Sequence, residues 1–159
     1  MGAMPPRMAS TREFAFEKAD FLKVQQMLFK KAGIKLTDAK EAMVYSRLAR
    51  RIRAKGLTSF SEYLAVVNSS ENELEQFINA LTTNLTSFFR EPHHFTALAD
   101  YLRDNPQVTT IWCAASSTGE EPYSIAMVVA EVFGSFKTPI KIIASDIDSK
   151  VLAKAKEGV

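Results

Sequence analysis

Four stretches in the second half of the chain constrain its fold more than anything else in the sequence. "QVTTIWCAA" (107–115) is β-branched and apolar, and "PYSIAMVVAEVF" (122–133) is an apolar run of helical length. "IKIIAS" (140–145) is a short continuous apolar run, and "SKVLAKAKEG" (149–158) is helical again. Strand, helix, strand, helix in that order predicts the opening of an α/β sheet with parallel strands. A doubly wound sheet usually has about five or more strands and is covered on both faces, so this domain is expected to be cut short at Val159.

The first half has a different texture. Phe14, Phe21, Val24 and Leu28 recur at helical spacing and Gly33 follows as a stop, which predicts a helix over 13–32. A second helix is expected from Thr37 or Asp38, both good N-caps, to Gly56. Ser59 with Glu62 three residues later forms the capping box of a third helix. The fourth starts near Glu71, with Leu74, Phe77, Ile78 and Leu81 on its inner face. In "LTTNLTSFFREPHHF" (81–95) the polar residues break the pattern, and Pro92 opens another helix to about Arg103. The expected class is therefore α+α/β: a helical domain over 12–80, a linker and helix over 81–105, and the β-α-β-α start of a Rossmann-like domain over 106–159. Residues 1–11 hold two prolines and no pattern, and are read as frayed or as a tagging remnant.

Apolar residues make up 47% of the 159 and charged residues 24%, the balance of a soluble globular protein. No stretch approaches the roughly 18–20 apolar residues that cross a bilayer, and "MGAMPPRMASTREF" lacks a signal core, so a cytoplasmic protein without membrane insertion is expected. Cys113 is the one cysteine and has no internal partner, in keeping with a reducing compartment. Within its apolar run it reads as a buried, inert thiol.

The net charge of +2 is unevenly placed. Residues 1–80 carry 13 Lys/Arg against 9 Asp/Glu, and between Ala42 and Ser61 there are five basic residues and no acid. At about 100° per residue, Val44, Leu48 and Ile52 share one arc, while Arg47, Arg50 and Arg53 lie roughly opposite. Such a face is either merely solvated or made for an acidic protein surface. Few aromatic residues lie near the arginines, which argues against nucleic acid.

In open α/β sheets, ligands bind beyond the carboxyl ends of the strands. "ASSTGEE" (115–121) lies there, with Gly119 free to take positive φ, and it lacks the three-glycine phosphate fingerprint. The adjacent Glu120 and Glu121 would repel phosphate but suit an amine or ribose hydroxyls. After the second strand, Asp146 and Asp148 are each either an acceptor for ribose hydroxyls or a helix cap; Asp148 is the better cap and Asp146 the better ligand. His93 and His94 are neighbours and would point about 100° apart on a helix, so no metal site is expected. Arg90 is either surface decoration or an arginine aimed at a carboxylate.

"LTTNLTSFFREPHHF", "STGEEPYSIAM" and "ASDIDSKVLAKAKEGV", in this order after a small helical domain, resemble the CheR family of chemoreceptor glutamate methyltransferases over about Phe21 to Val159. The resemblance implies S-adenosylmethionine as methyl donor, S-adenosylhomocysteine as product, and glutamates on the cytoplasmic helical bundle of chemoreceptors as substrate. It implies cofactor contacts from Asn84, Thr86, Arg90, Glu121 and Asp146, with Arg90 also orienting the incoming carboxylate. It implies a receptor-binding face made of Arg47, Arg50 and Arg53. Ser116 stands where the family pattern has a cysteine, alanine or glycine. The family also has further strands after "AKEGV", including an Asn-rich segment against the adenine and a tyrosine near the methyl. This length of chain is accordingly expected to have an incomplete pocket and little or no activity, and to self-associate through its sheet edge. The competing expectation is a non-catalytic module that holds a receptor or regulator with its arginine helix.

Overall fold

The computed structural model describes residues 12–158 and divides between Leu81 and Thr82 into two compact units. The expected fraying of residues 1–11 lies outside the described residues. The first unit contains α1 (Lys18–Ala32), a 3₁₀ turn (Asp38–Lys40) leading into α2 (Glu41–Ala54), α3 (Phe60–Ser69) and α4 (Glu71–Leu81). The second contains α5 (His93–Asp104), β1 (Thr110–Cys113), α6 (Glu120–Phe133), β2 (Lys141–Ala144) and α7 (Ser149–Glu157). This is the α+α/β class, with a helical unit followed by a β-α-β-α unit. No helix among the described residues is long and apolar enough to cross a membrane.

The first helix begins at Lys18 and not at Glu13. Phe14 and Phe16 precede it as buried, non-helical residues. Phe16 packs its ring 4.3 Å from that of Phe60. The helix starts where the Glu17 N–H donates to the Asp20 carboxylate at 3.1 Å, a capping arrangement made of two acids at the positive end of the helix. The expected cap at Thr37 or Asp38 opens only the 3₁₀ turn, without a side-chain cap bond, and α2 begins at Glu41. Gly33 ends α1 at φ 69°, and the Ser59 hydroxyl accepts from the Glu62 N–H at 3.2 Å.

Val24, Leu28, Val44, Leu48, Ile52 and Phe77 fill the core of the helical unit with essentially no exposure. Among them lies an acid that the apolar pattern hides. Glu73, on the first turns of α4, is fully buried. It accepts from the Arg51 guanidinium at 2.9 Å, the Lys55 ammonium at 2.9 Å and the Tyr63 hydroxyl at 3.0 Å. Arg51 and Lys55 lie at the end of α2 and Tyr63 on α3, so one carboxylate joins three helices. Such a buried charge is tolerable only because its lone pairs are met by donors.

The second unit has a two-stranded parallel sheet in register Thr110 to Lys141 through Cys113 to Ala144. The crossover between parallel strands is made by α6, as the sequence pattern requires. Ile111, Cys113 and Ile142 pack with Phe95, Leu102, Val128 and Val129 into the core beneath α5 and α6. On the other face Trp112 and Ile143 are 68% and 41% exposed. The Trp112 indole N–H donates to the Ser145 hydroxyl at 3.0 Å.

Burial raises the pKa of Glu73, but the hydrogen bonds from Lys55, Arg51 and Tyr63 outweigh it and hold the carboxyl below its ordinary value of 4.5. A depressed folded-state pKa gives stabilisation that is complete above the unfolded value and is lost as pH falls through the folded one. Urea unfolding over a pH series should therefore show an acid limb below about pH 4.5. Glu73→Gln should flatten that limb and cost about 2–4 kcal/mol at neutral pH, because its buried donors lose a charged acceptor. A limb unchanged in the variant would remove Glu73 from this role.

Candidate cofactor site

The site is built where β1 and β2 end. The residues after β1 turn sharply: Ser117 has φ 47° and Gly119 φ 107°. A Cβ on Gly119 would lie 3.1 Å from the Ala155 Cβ of α7, so both conformation and space demand glycine there. Gly119 is the N-cap of α6, and the helix opens at Glu120, two residues earlier than the proline suggested. Pro122 falls inside the first turn, where a missing N–H leaves no intrahelical bond unmade.

The adjacent glutamates divide by role. Glu120 is half-buried and accepts from the Thr118 hydroxyl at 2.6 Å, which braces the turn. Glu121 is exposed, and its Oε1 accepts from the Cys113 thiol at 3.1 Å. Burial, and then the charge and hydrogen bond of Glu121, push the thiol pKa up to about 12. Cys113 is 2% exposed and protonated at neutral pH, so it positions Glu121 and does not act as a nucleophile.

The "SDID" segment supplies two carboxylates with different partners. Asp146 is half-buried; its Oδ2 accepts from the Ser117 N–H at 2.8 Å and its Oδ1 from the Asp148 N–H at 2.9 Å. It thus links the loop after β1 to the loop after β2. Each oxygen keeps a second lone pair for a ligand hydroxyl. Asp148 is 3% exposed and caps α7 through the Lys150 N–H at 3.0 Å. Its Oδ2 accepts from the Asn84 amide at 2.7 Å and the Thr82 hydroxyl at 2.9 Å.

The segment before α5 completes the neighbourhood. The Asn84 carbonyl accepts from the Ser117 hydroxyl at 3.0 Å, so Asn84, Ser117 and Asp146 form one connected chain. Thr86 is half-buried in the same segment. Arg90 is exposed and reaches back to the Leu85 carbonyl at 3.0 Å. It stands between Phe89 (φ 52°) and Glu91 (φ 56°), two non-glycine residues in the left-handed region. The Phe89 N–H donates to the Ser124 hydroxyl at 3.0 Å, which pins this strained turn to α6. The structure links Asn84 to Asp146 through Ser117 and leaves Arg90 on the surface, with no hydrogen bond to either among the described residues. Ser117 and Ser124 were not singled out from the sequence; Ser117, in "SSTG", carried no signal beyond its place in the loop.

The donor set has a consistent chemical character. Two carboxylates, Glu121 and Asp146, stand at the ends of parallel strands beside a helix N-terminus, and no lysine or arginine lies in the loop from Ala114 to Glu121. The Ser116 hydroxyl is buried there without a hydrogen-bond partner among the described residues. These residues fit a ligand that carries hydroxyls and positive charge, and they fit a pyrophosphate poorly.

Residues 84–159 match the family model described as "CheR methyltransferase, SAM binding domain", and residues 19–82 match "CheR methyltransferase, all-alpha domain". The chain belongs to the CheR methyltransferase family. It is 49% identical to "Chemotaxis protein methyltransferase 2" of Pseudomonas aeruginosa over 158 residues, covering 98% of this chain and 56% of that protein. It is 49% identical to the "Chemotaxis protein methyltransferase" of Escherichia coli over 94% of this chain and 53% of that protein. The likeness extends to Borreliella burgdorferi, at 32% identity over 89% of this chain and 55% of the relative. The chain spans about half the length of these curated relatives. The CheR pattern of helical domain followed by S-adenosylmethionine-binding domain is thus the one seen in the two units.

Two outcomes test this geometry. Trp112 is the one tryptophan, so its fluorescence reports unfolding of the second unit. Asp148→Ala should lower that unit's stability by about 2–4 kcal/mol, since it removes a cap and strands the Asn84 and Thr82 donors; Asp148→Asn, which keeps acceptors, should lose less. Cys113 in the folded chain should react with an aromatic disulfide at pH 8 at least about a hundredfold more slowly than in urea. Equal rates would contradict its burial.

Proposed function

We propose that, in the whole protein of which these residues form a part, the chain acts in the cytoplasm as a protein-glutamate O-methyltransferase that modifies glutamate side chains on bacterial chemotaxis receptors. The observation that carries this reading is the half-buried Asp146 carboxylate after β2, joined through Ser117 to Asn84. S-adenosylmethionine supplies a methyl group on a positively charged sulfur. Its ribose suits Asp146 and its ammonium suits the exposed Glu121, while Asn84 and Thr86 lie on the segment that Ser117 joins to this loop.

The residues have little acid–base work to do. A substrate glutamate with a pKa near 4.3 is already ionised at neutral pH, so its oxygen attacks the methyl carbon without losing a proton. Held by Asp146, Glu121 and Asn84, S-adenosylmethionine would supply a methyl whose bond to sulfur breaks, with the electron pair going to sulfur, as the carboxylate oxygen bonds to it. The task of the chain is alignment. Arg90 is exposed and held only by one carbonyl, so it can turn to meet the incoming carboxylate.

Arg47, Arg50 and Arg53 form the proposed receptor-binding face, and tertiary structure limits their freedom. Arg47 donates to the Ala80 carbonyl at 3.2 Å and Arg53 is paired with Glu13. Arg50 is exposed and has no carboxylate partner among the described residues. Arg50 is accordingly the strongest candidate of the three for contact with an acidic receptor surface.

Calorimetry with S-adenosylhomocysteine on the whole protein should show binding, weakened at least about tenfold by Asp146→Ala. Binding unchanged by that substitution would refute the site. Transfer of labelled methyl to receptor should fall by about 10²-fold in kcat/KM for Arg90→Ala, with S-adenosylhomocysteine affinity less affected. Arg50→Glu should weaken receptor binding and leave cofactor affinity unchanged.

A further inference from the structure

The Arg90 side chain lies on the surface with its guanidinium on the Leu85 carbonyl, but the backbone around it is tightly constrained. The Ser87 carbonyl accepts from the Arg90 N–H at 3.3 Å and closes a β-turn over 87–90. Phe89, third in that turn, has φ 52°, a value that suits glycine or asparagine, and Glu91 follows at φ 56°. Two such residues flanking one arginine persist only where contacts outside the turn impose them.

Two contacts do so. The Phe89 ring meets the ring of Phe95, which is buried on α5, edge-on at 5.2 Å. The Phe89 N–H, which the turn's own hydrogen bond leaves unused, donates to the Ser124 hydroxyl at 3.0 Å. Ser124 is fully buried on α6, and its hydroxyl donates to the Glu120 carbonyl at 2.6 Å, four residues back. With its one proton committed to that carbonyl, the hydroxyl oxygen presents lone pairs to the turn. Ser124 also stands one helical turn beyond Glu121, on the same side of α6. Glu121 is itself held from β1 by the Cys113 thiol. One helix thus carries both the proposed ammonium ligand and the anchor of the turn around Arg90.

We propose that Ser124 is a positioning residue for methyl transfer: through the Phe89 N–H it fixes the turn that carries Arg90, and so sets where the guanidinium meets the incoming carboxylate. The inference rests on the methyltransferase reading and adds to it a buried side chain that acts through the backbone of another residue. The plainer role is a serine that satisfies a backbone N–H and helps the unit to fold. The two differ in what they move. A serine needed only for folding would lower stability and cofactor affinity together. A positioning serine lowers turnover while the cofactor stays bound, because a misplacement of about 1 Å costs about 10²-fold.

The test uses the whole protein, with transfer of labelled methyl to receptor, calorimetry with S-adenosylhomocysteine and circular dichroism melts. Ser124→Ala should lower kcat at least about tenfold and keep S-adenosylhomocysteine affinity within about threefold, with the protein folded at the assay temperature. Ser124→Cys, which fills the same space but accepts poorly, should do the same. Exchange of the Phe89 amide proton should rise at least about tenfold in Ser124→Ala. In a double-mutant cycle, Ser124→Ala should cost less than about a further threefold once Arg90 is already alanine, because its effect passes through that side chain. Full turnover in either serine variant would overturn the proposal, as would unchanged exchange at Phe89, a parallel loss of turnover and cofactor affinity, or losses that multiply in the cycle. Full turnover in Arg90→Ala alone would instead refute the role given to Arg90, and this inference with it.

Discussion

The arrangement of the second unit hangs on the buried carboxylate of Asp148. It receives donors from two places far apart in the chain: the first N–H groups of α7, and the side chains of Thr82 and Asn84. A charge with 3% exposure is stable only when its lone pairs are filled, and here two charge-assisted contacts come from each side. The consequence reaches the site directly. Anchoring Asn84 places its carbonyl to receive the Ser117 hydroxyl, and Ser117 in turn presents its N–H to Asp146. The Asp146 carboxylate, the proposed acceptor for the ribose, is therefore held by a network whose root is a structural one.

A similar device organises the helical unit. Glu73 gathers Arg51, Lys55 and Tyr63, and so fixes the end of α2 against α3 and α4. This changes the meaning of the basic run between Ala42 and Ser61. Its five cations look like one surface in the sequence, yet two of them turn inward to a buried acid and Arg53 meets Glu13. The basic face open to a partner is smaller than the count suggests, and it centres on Arg50.

Signals that act within a few residues were legible. The Ser59 cap, the glycine at the end of α1, the Asp148 cap and the β-α-β alternation all follow from local hydrogen bonding or from the period of apolar residues. Three helix starts went astray for physical reasons, that of α2 because Thr37 leads into a 3₁₀ turn. Phe14 continues the helical spacing but packs with Phe16 in a non-helical lead-in, because burial of a ring does not need a helix beneath it. Pro122 looked like the first helical residue, although proline is tolerated throughout the first turn. The candidate site was legible as a set of residue types, from their position after two strands and from their likeness to a family; Ser117 and Ser124 were not, since a serine in a polar loop has no periodic signature.

The sequence by itself determined the class of fold, the order of elements, and the acidic character of the loops that follow the two strands. Local propensity and the alternation of apolar runs suffice for that, because each depends on neighbours in the chain. Only the tertiary structure decided which acid does what. Asp146 and Asp148 are two residues apart, as are Arg51 and Arg53, yet Asp148 and Arg51 sit in the buried networks while Asp146 is half-buried and Arg53 exposed. That division depends on donors brought from elsewhere in each unit, up to 66 residues away for Thr82 and Asp148, and no pattern confined to one segment carries it.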